Sequence, residues 1–375
     1  MVDGENPRSR QPLARPVAIQ MPDRCQTGAR MQQKRLYHLD FIRVTAIIAI
    51  ILFHYNIWSE RIVSPSVLLV KNYTFLGAIG VSLFLVLSGA SIFHSTKDNF
   101  STFQFYKKRF LAIFPMFYLV YACFMFLALV FHQYDLTVEK NPFAFLLTIA
   151  GLDGLLSTVL PTYYLIGEWF LGCIVVLYLI FPAIRYIFHL QKETALLVAF
   201  AIFLLLQQYY TLSFPLQRLP LFRMAEFVFG MYYMAYSTQK ILSDLRLAAF
   251  ILFVFIILHF FDRAMLGSIK MNFYGVLTFI LLANISQYFA GQPFRRIIAF
   301  LSRYSYPAFL VHHILLKQML IFGKHLITSA LVNLFAFFLL IAIVFIVSYV
   351  FDGILRYLMQ IGQKTVAQKK NQPVL

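Results

Sequence analysis

Three ionisable residues stand in one apolar stretch near the start of the chain. Leu36 to Ser59 reads LYHLDFIRVTAIIAIILFHYNIWS and carries Asp40, Arg43 and His54. Arg43 and His54 are 11 residues apart. At about 100° per residue, a helix brings both to nearly one face, about 16 Å apart along its axis. Asp40 precedes Arg43 by three residues and can pair with it there. Ionisable groups within a membrane helix are costly and mark a functional site by default. A histidine titrating near neutrality suits general-base work on a hydroxyl. The plainer reading of a lone histidine near a helix end is a hydrogen bond to a neighbour. The face shared with Arg43 sets the catalytic reading beside it.

Other segments offer complementary chemistry. Tyr106 to Pro115, YKKRFLAIFP, holds Lys107, Lys108 and Arg109. Such clustered cations can clamp pyrophosphate or nucleotide phosphates, or simply anchor a cytoplasmic loop. Glu168, in YYLIGEWFLG, can orient a histidine, bind sugar hydroxyls or face water in an aromatic belt. LSRYSYPAFLVHH adds His312 and His313, read as groups that hydrogen-bond across a helix bundle. There is no H-E-x-x-H and no histidine–acid ligand spacing, so no metal is expected. Without a Walker A loop or G-x-G-x-x-G, an ATP-driven pump is not expected. No serine lies in a G-x-S-x-G elbow.

The chain that must position these groups is 61% hydrophobic, 18% aromatic and 13% charged, with a mean hydropathy of +0.75. A soluble domain carries about 25% charged residues, so too few positions remain here to cover a water-facing surface. The expected fold is all-α, a polytopic transmembrane helical bundle of about ten spans. The net charge of +17 is spread over many short loops rather than gathered in one patch, which argues against a nucleic-acid partner. Cys25, Cys123 and Cys173 are too few and too scattered for a disulfide framework or a zinc site.

Residues 1–35 contain Pro7, Pro12, Pro16 and Pro22 with little apolar periodicity, and read as a disordered basic cytoplasmic tail. Met31, followed by QQKRLYHLD, reads as a second candidate start. The transmembrane domain is expected at 36–355, and 356–375 as a cytoplasmic C-terminal tail. Apolar runs fall near 41–58, 75–94, 110–132, 164–181, 194–211, 219–237, 246–261, 273–290, 299–321 and 327–351. The stretch 142–160 is apolar but broken by Gly151, Asp153 and Gly154. If it does not cross, Lys97, Lys107 to Arg109, Arg185, Lys192, Lys240, Arg246, Arg295, Arg296 and the C-terminal lysines all fall inside, as the positive-inside rule asks. That count puts both termini in the cytoplasm and makes 142–160 re-entrant or interfacial, which is tolerated where it lines a cavity.

Taken in order, these segments resemble acyltransferase family 3 of integral membrane proteins. Leu39, Asp40, Arg43 and His54 match the family's L-D-x-x-R followed by H. GVSLFLVLSGASI (Gly80–Ile92), KKRFLAIFP, LIGEWFLGCIVVLYLIFP and SYPAFLVHH are similar to its later motifs. The resemblance implies transfer of an acyl group, usually acetyl from acetyl-CoA, to a hydroxyl of a surface polysaccharide, lipid-linked glycan or lipid. It also implies a bacterial inner (plasma) membrane and ten core spans. On it, His54 is the catalytic histidine, Arg43 its partner in the same helix, and Arg109 the first basic position of the cytoplasmic loop. Glu168 joins the catalytic set, while Lys107, Lys108 and Arg109 are expected to bind the acyl-CoA donor, with no bound cofactor. Two positions depart from the pattern: Ala112 replaces a second arginine and Ser82 an aspartate. The rival class is a glycan or lipid transporter with polar groups lining a path. No internal inverted repeat supports it.

Overall fold

The computed structural model describes residues 36–71, 73–131, 142–167, 169–236, 267–370 and scattered positions between 246 and 257. The tail at 1–35, with Met31, and most of the run at 246–261 lie outside the described residues.

The elements are helical, with no strand among the described residues. They are α1 (Tyr37–Ile62), α2 (Thr74–Thr96), α3 (Thr102–Val130), α4 (Phe145–Ile149), α5 (Asp153–Leu156) and α6 (Trp169–Leu190). There follow α7 (Lys192–Tyr209), α8 (Pro220–Tyr236), α9 (Gly267–Ile285), α10 (Gln292–Gly323) and α11 (Ala330–Lys370). Among the described residues, six helices are long and apolar enough to cross a membrane: α1, α2, α3, α6, α7 and residues 330–364 of α11. The protein is a helical membrane protein. α8 has 17 residues and carries a buried ion pair, while the 32 residues of α10 include Arg295, Arg296, Arg303 and Lys317. α10 also starts earlier than its apolar run suggests, because Pro293 occupies its first turn, where the missing N–H costs nothing. α11 continues through the expected tail boundary at 356 to Lys370.

The stretch 142–160 forms no continuous helix. α4 has 5 residues and α5 has 4, short of the roughly 20 that cross a bilayer. Gly151 turns between them at a φ of 68°, a conformation open to glycine at no steric cost. Asp153 opens α5 fully buried, and its Oδ1 accepts the Gly154 N–H at 2.8 Å.

α2 lies at the centre of the bundle, packed on α1, α8 and α9, while α10 lies between α1 and α11. Without a water-driven hydrophobic force between helices in lipid, close backbone approach supplies the packing energy. At the α2–α8 crossing, a Cβ on Gly89 would come within 1.8 Å of the Phe227 carbonyl oxygen, and one on Gly230 within 2.0 Å of that of Val86. Both positions therefore exclude any side chain. At the other end of α1, Asn56 Oδ1 accepts the N–H groups of Leu69 (3.0 Å) and Val70 (3.2 Å), which fixes the loop into α2.

Candidate active site

One end of α1 holds a charged knot. Arg43 Nη1 donates to Asp40 Oδ1 at 2.9 Å and to Ser302 Oγ at 3.0 Å, and the Ser302 hydroxyl donates to Asp40 Oδ1 at 2.6 Å. The i,i+3 pair forms as the spacing predicts, and Ser302 of α10 ties it to a second helix. Asp40 and Ser302 are buried, whereas the Arg43 side chain keeps 28% of its surface open. That surface lines a cavity of about 210 Å³ whose walls also include Ser88, Ser91, Arg109, Tyr178 and Tyr306. Arg109 lies 6.0 Å from the Tyr178 ring and 5.9 Å from that of Phe105, so aromatic faces hold its guanidinium. Its neighbours Lys107 and Lys108 are exposed, and the described cavities exclude them. Of the three adjacent cations, the helical turn brings only Arg109 to the cavity wall beside Arg43.

His54 lines a second cavity, of about 400 Å³, with Thr74, Trp169, Arg218, Arg223 and Asn272. Arg223 is buried, with one carboxylate and two neutral acceptors around its guanidinium. Its Nε lies 3.0 Å from Glu226 Oε2, Nη1 donates to Asn272 Oδ1 at 2.8 Å, and Nη2 to Ser82 Oγ at 3.2 Å. Ser82 of α2 thus accepts from Arg223, while Glu226 of α8 supplies the carboxylate that faces it. A buried guanidinium left without an anion would be strongly destabilising.

The two cavities share a wall. Phe170 and Phe309 line both, and their rings meet edge to face with centroids 5.7 Å apart. Beside His54, α10 brings His312 and His313. Ring centroids are 5.4 Å apart for His54–His312, 4.1 Å for His54–His313 and 4.8 Å for His312–His313. One ring nitrogen from each lies within 4.8 Å of the others.

Helix α1 thus runs from a cationic cavity to a histidine cavity, with an aromatic partition between them. Against this geometry, the family model described as an acyltransferase domain matches residues 36–353. The chain belongs to this acyltransferase family. No curated protein and no solved structure matches the chain. The matched region contains both cavities, the charged knot and the histidine cluster. It stops before the last turns of α11.

Of the residues expected to form the site, Arg43 and Arg109 share one cavity and His54 lines the next. Glu168 lies outside the described residues. Ser302, Phe170, Phe309, Arg223 and Asn272 join the site only in the fold. The spacing of Arg223 and Glu226, i and i+3 inside an apolar run, is the one sequence signal for the buried network. The aromatic partition has no signal, since phenylalanine is abundant at 42 residues.

Proposed function

We propose that this acyltransferase moves an acetyl group from acetyl-CoA to a hydroxyl of a cell-surface polysaccharide, lipid-linked glycan or lipid. The observation that carries the reading is the pair of cavities, one cationic and one holding His54, meeting at Phe170 and Phe309. The chain crosses a bacterial inner membrane about ten times with both termini in the cytoplasm, as the loop charges ask. Arg43 then faces the cytoplasmic donor and His54 the acceptor.

Acetyl-CoA enters the cationic cavity with its phosphates toward Arg109 and Arg43. Guanidinium groups suit this task because they bind phosphate oxygens in a fixed bidentate fork. The separation of Arg43 from His54, about 16 Å by helical rise, is of the order of an extended pantetheine arm. The thioester therefore arrives at the aromatic partition, and the acceptor hydroxyl approaches from the His54 side. His54 takes the hydroxyl proton as the oxygen attacks the thioester carbonyl. The C–S bond breaks, and the thiolate leaves with that proton returned from the imidazolium. Glu168, from its place among aromatics in the sequence, takes the role of orienting His54 or binding the acceptor. The knot of Asp40, Arg43 and Ser302 keeps the donor end rigid, so that orientation is established before the reaction begins.

Mass analysis of surface glycans with and without the gene tests the reading. An acetyl difference on otherwise normal polymer is the expected result. Loss of the whole polymer from the surface would point to export and contradict it.

A further inference from the structure

We propose that His54, His312 and His313 form a binding site for a divalent transition-metal ion of zinc's class, and that its occupancy silences acyl transfer. The silencing rests on the reading of His54 as the base; the binding does not.

The geometry is close to that of a three-histidine centre. The donor nitrogens lie within 4.8 Å of one another. Tetrahedral zinc, with Zn–N near 2.0–2.1 Å, places its ligands about 3.4 Å apart. Closing the triangle moves each nitrogen by less than about 1 Å. The backbone holds the ring of one candidate ligand. His312 is fully buried, and its Nδ1 lies 2.7 Å from the carbonyl oxygen of Phe309. A carbonyl can only accept, so Nδ1 carries the proton, and Nε2 is the nitrogen that would take the ion. A backbone carbonyl fixing the tautomer in this way is the usual support for a metal-binding imidazole.

Access and ligand type select the ion. His54 lines the 400 Å³ cavity, and His313 lines another of about 1010 Å³ together with Trp58, Lys317 and Gln318. A metal would be reachable through either cavity, and a water can complete the fourth position, as in open three-ligand sites. Three neutral imidazoles suit zinc, copper and nickel, whereas calcium and magnesium demand oxygen. Lys317 extends over the Trp58 ring at 5.7 Å, and its charge opposes any cation in that cavity. The nitrogens come from α1 and α10, 258 residues apart, which is why no local spacing announces them. The lone pair that His54 would give the metal is the one that would take the acceptor's proton. One ion therefore excludes the other role.

The test uses full-length protein in detergent without a histidine tag, titrated with Co²⁺ and then Zn²⁺. One equivalent of Co²⁺ should give visible d–d absorption that Zn²⁺ displaces. His313→Asn and His312→Asn should each weaken Zn²⁺ binding by at least about 10–100-fold, the cost of losing even an outer-shell partner, while each variant stays monodisperse. Zn²⁺ should stop acyl transfer, and chelation should restore it. Co²⁺ binding that is absent, or unchanged in both variants, would overturn the site. Zinc bound through the three histidines with acyl transfer intact would overturn the silencing, and with it the base role of His54, while leaving the site itself standing.

Discussion

Phe170 of α6 and Phe309 of α10 meet edge to face, 5.7 Å between centroids, and each forms part of the wall of both cavities. On the proposed reading, the acyl group sits against this pair when the acceptor attacks. The partition then sets how long an acyl chain can be.

Phe309→Leu should relax chain-length selectivity. The ratio of kcat/KM for propionyl-CoA to that for acetyl-CoA should rise by about 10-fold, since one methylene accommodated is worth about 1–3 kcal/mol. Leucine is the better probe because Phe→Ala in a packed core costs about 3–5 kcal/mol. The chain-length profile of the purified variant is the check. An unchanged profile would remove the partition from the acyl path.

Arg109 should act apart from its neighbours. Arg109→Gln should raise the KM for acetyl-CoA by about 10-fold, the worth of one charge-assisted phosphate contact. Lys107→Gln with Lys108→Gln should change it by less than about 3-fold, as exposed charges contribute little. Steady-state kinetics decides between the two. Equal effects would mean that the loop acts through its summed charge.

Much of this arrangement is visible before folding. Asp40 and Arg43 pair at i,i+3, and the 11-residue step to His54 gives the site its axis, because helical periodicity is a local property. The apolar runs place α1, α2, α7 and α8 to within about four residues at each end, and the other helices less closely. Ser302 and the histidine pair depend on how α10 lies against α1, and no local pattern encodes that contact. The same holds for Arg223, whose partners Ser82 and Asn272 come from two other helices. The helix boundaries that shifted are those set by proline or polar residues, such as Pro293 at the head of α10.

Asp153, outside the membrane-crossing helices, should make stability depend on pH. Burial pushes its carboxyl up to about 6, against a smaller opposing effect of the Gly154 N–H. In the unfolded chain it titrates near 3.9, so between about pH 4 and pH 6 the folded state holds the extra proton. Stability therefore falls as pH rises through that window and stays lower above it. Asp153→Asn keeps an oxygen for Gly154 and removes the charge. Its Tm should exceed that of the parent at pH 8, with the gain disappearing near pH 4. Thermal unfolding in detergent measures it, and a gain independent of pH would assign the effect to packing.

On the proposed mechanism, His54 is the group that moves the acceptor's proton. The direct measurement is transfer of labelled acetyl from acetyl-CoA to acceptor-bearing membranes by purified His54→Gln and parent protein. Labelled product should fall by about 10²–10⁴-fold, the usual contribution of a general base, with the variant as abundant and as thermally stable as the parent. Transfer at an undiminished rate by the folded variant would rule out His54 as the base.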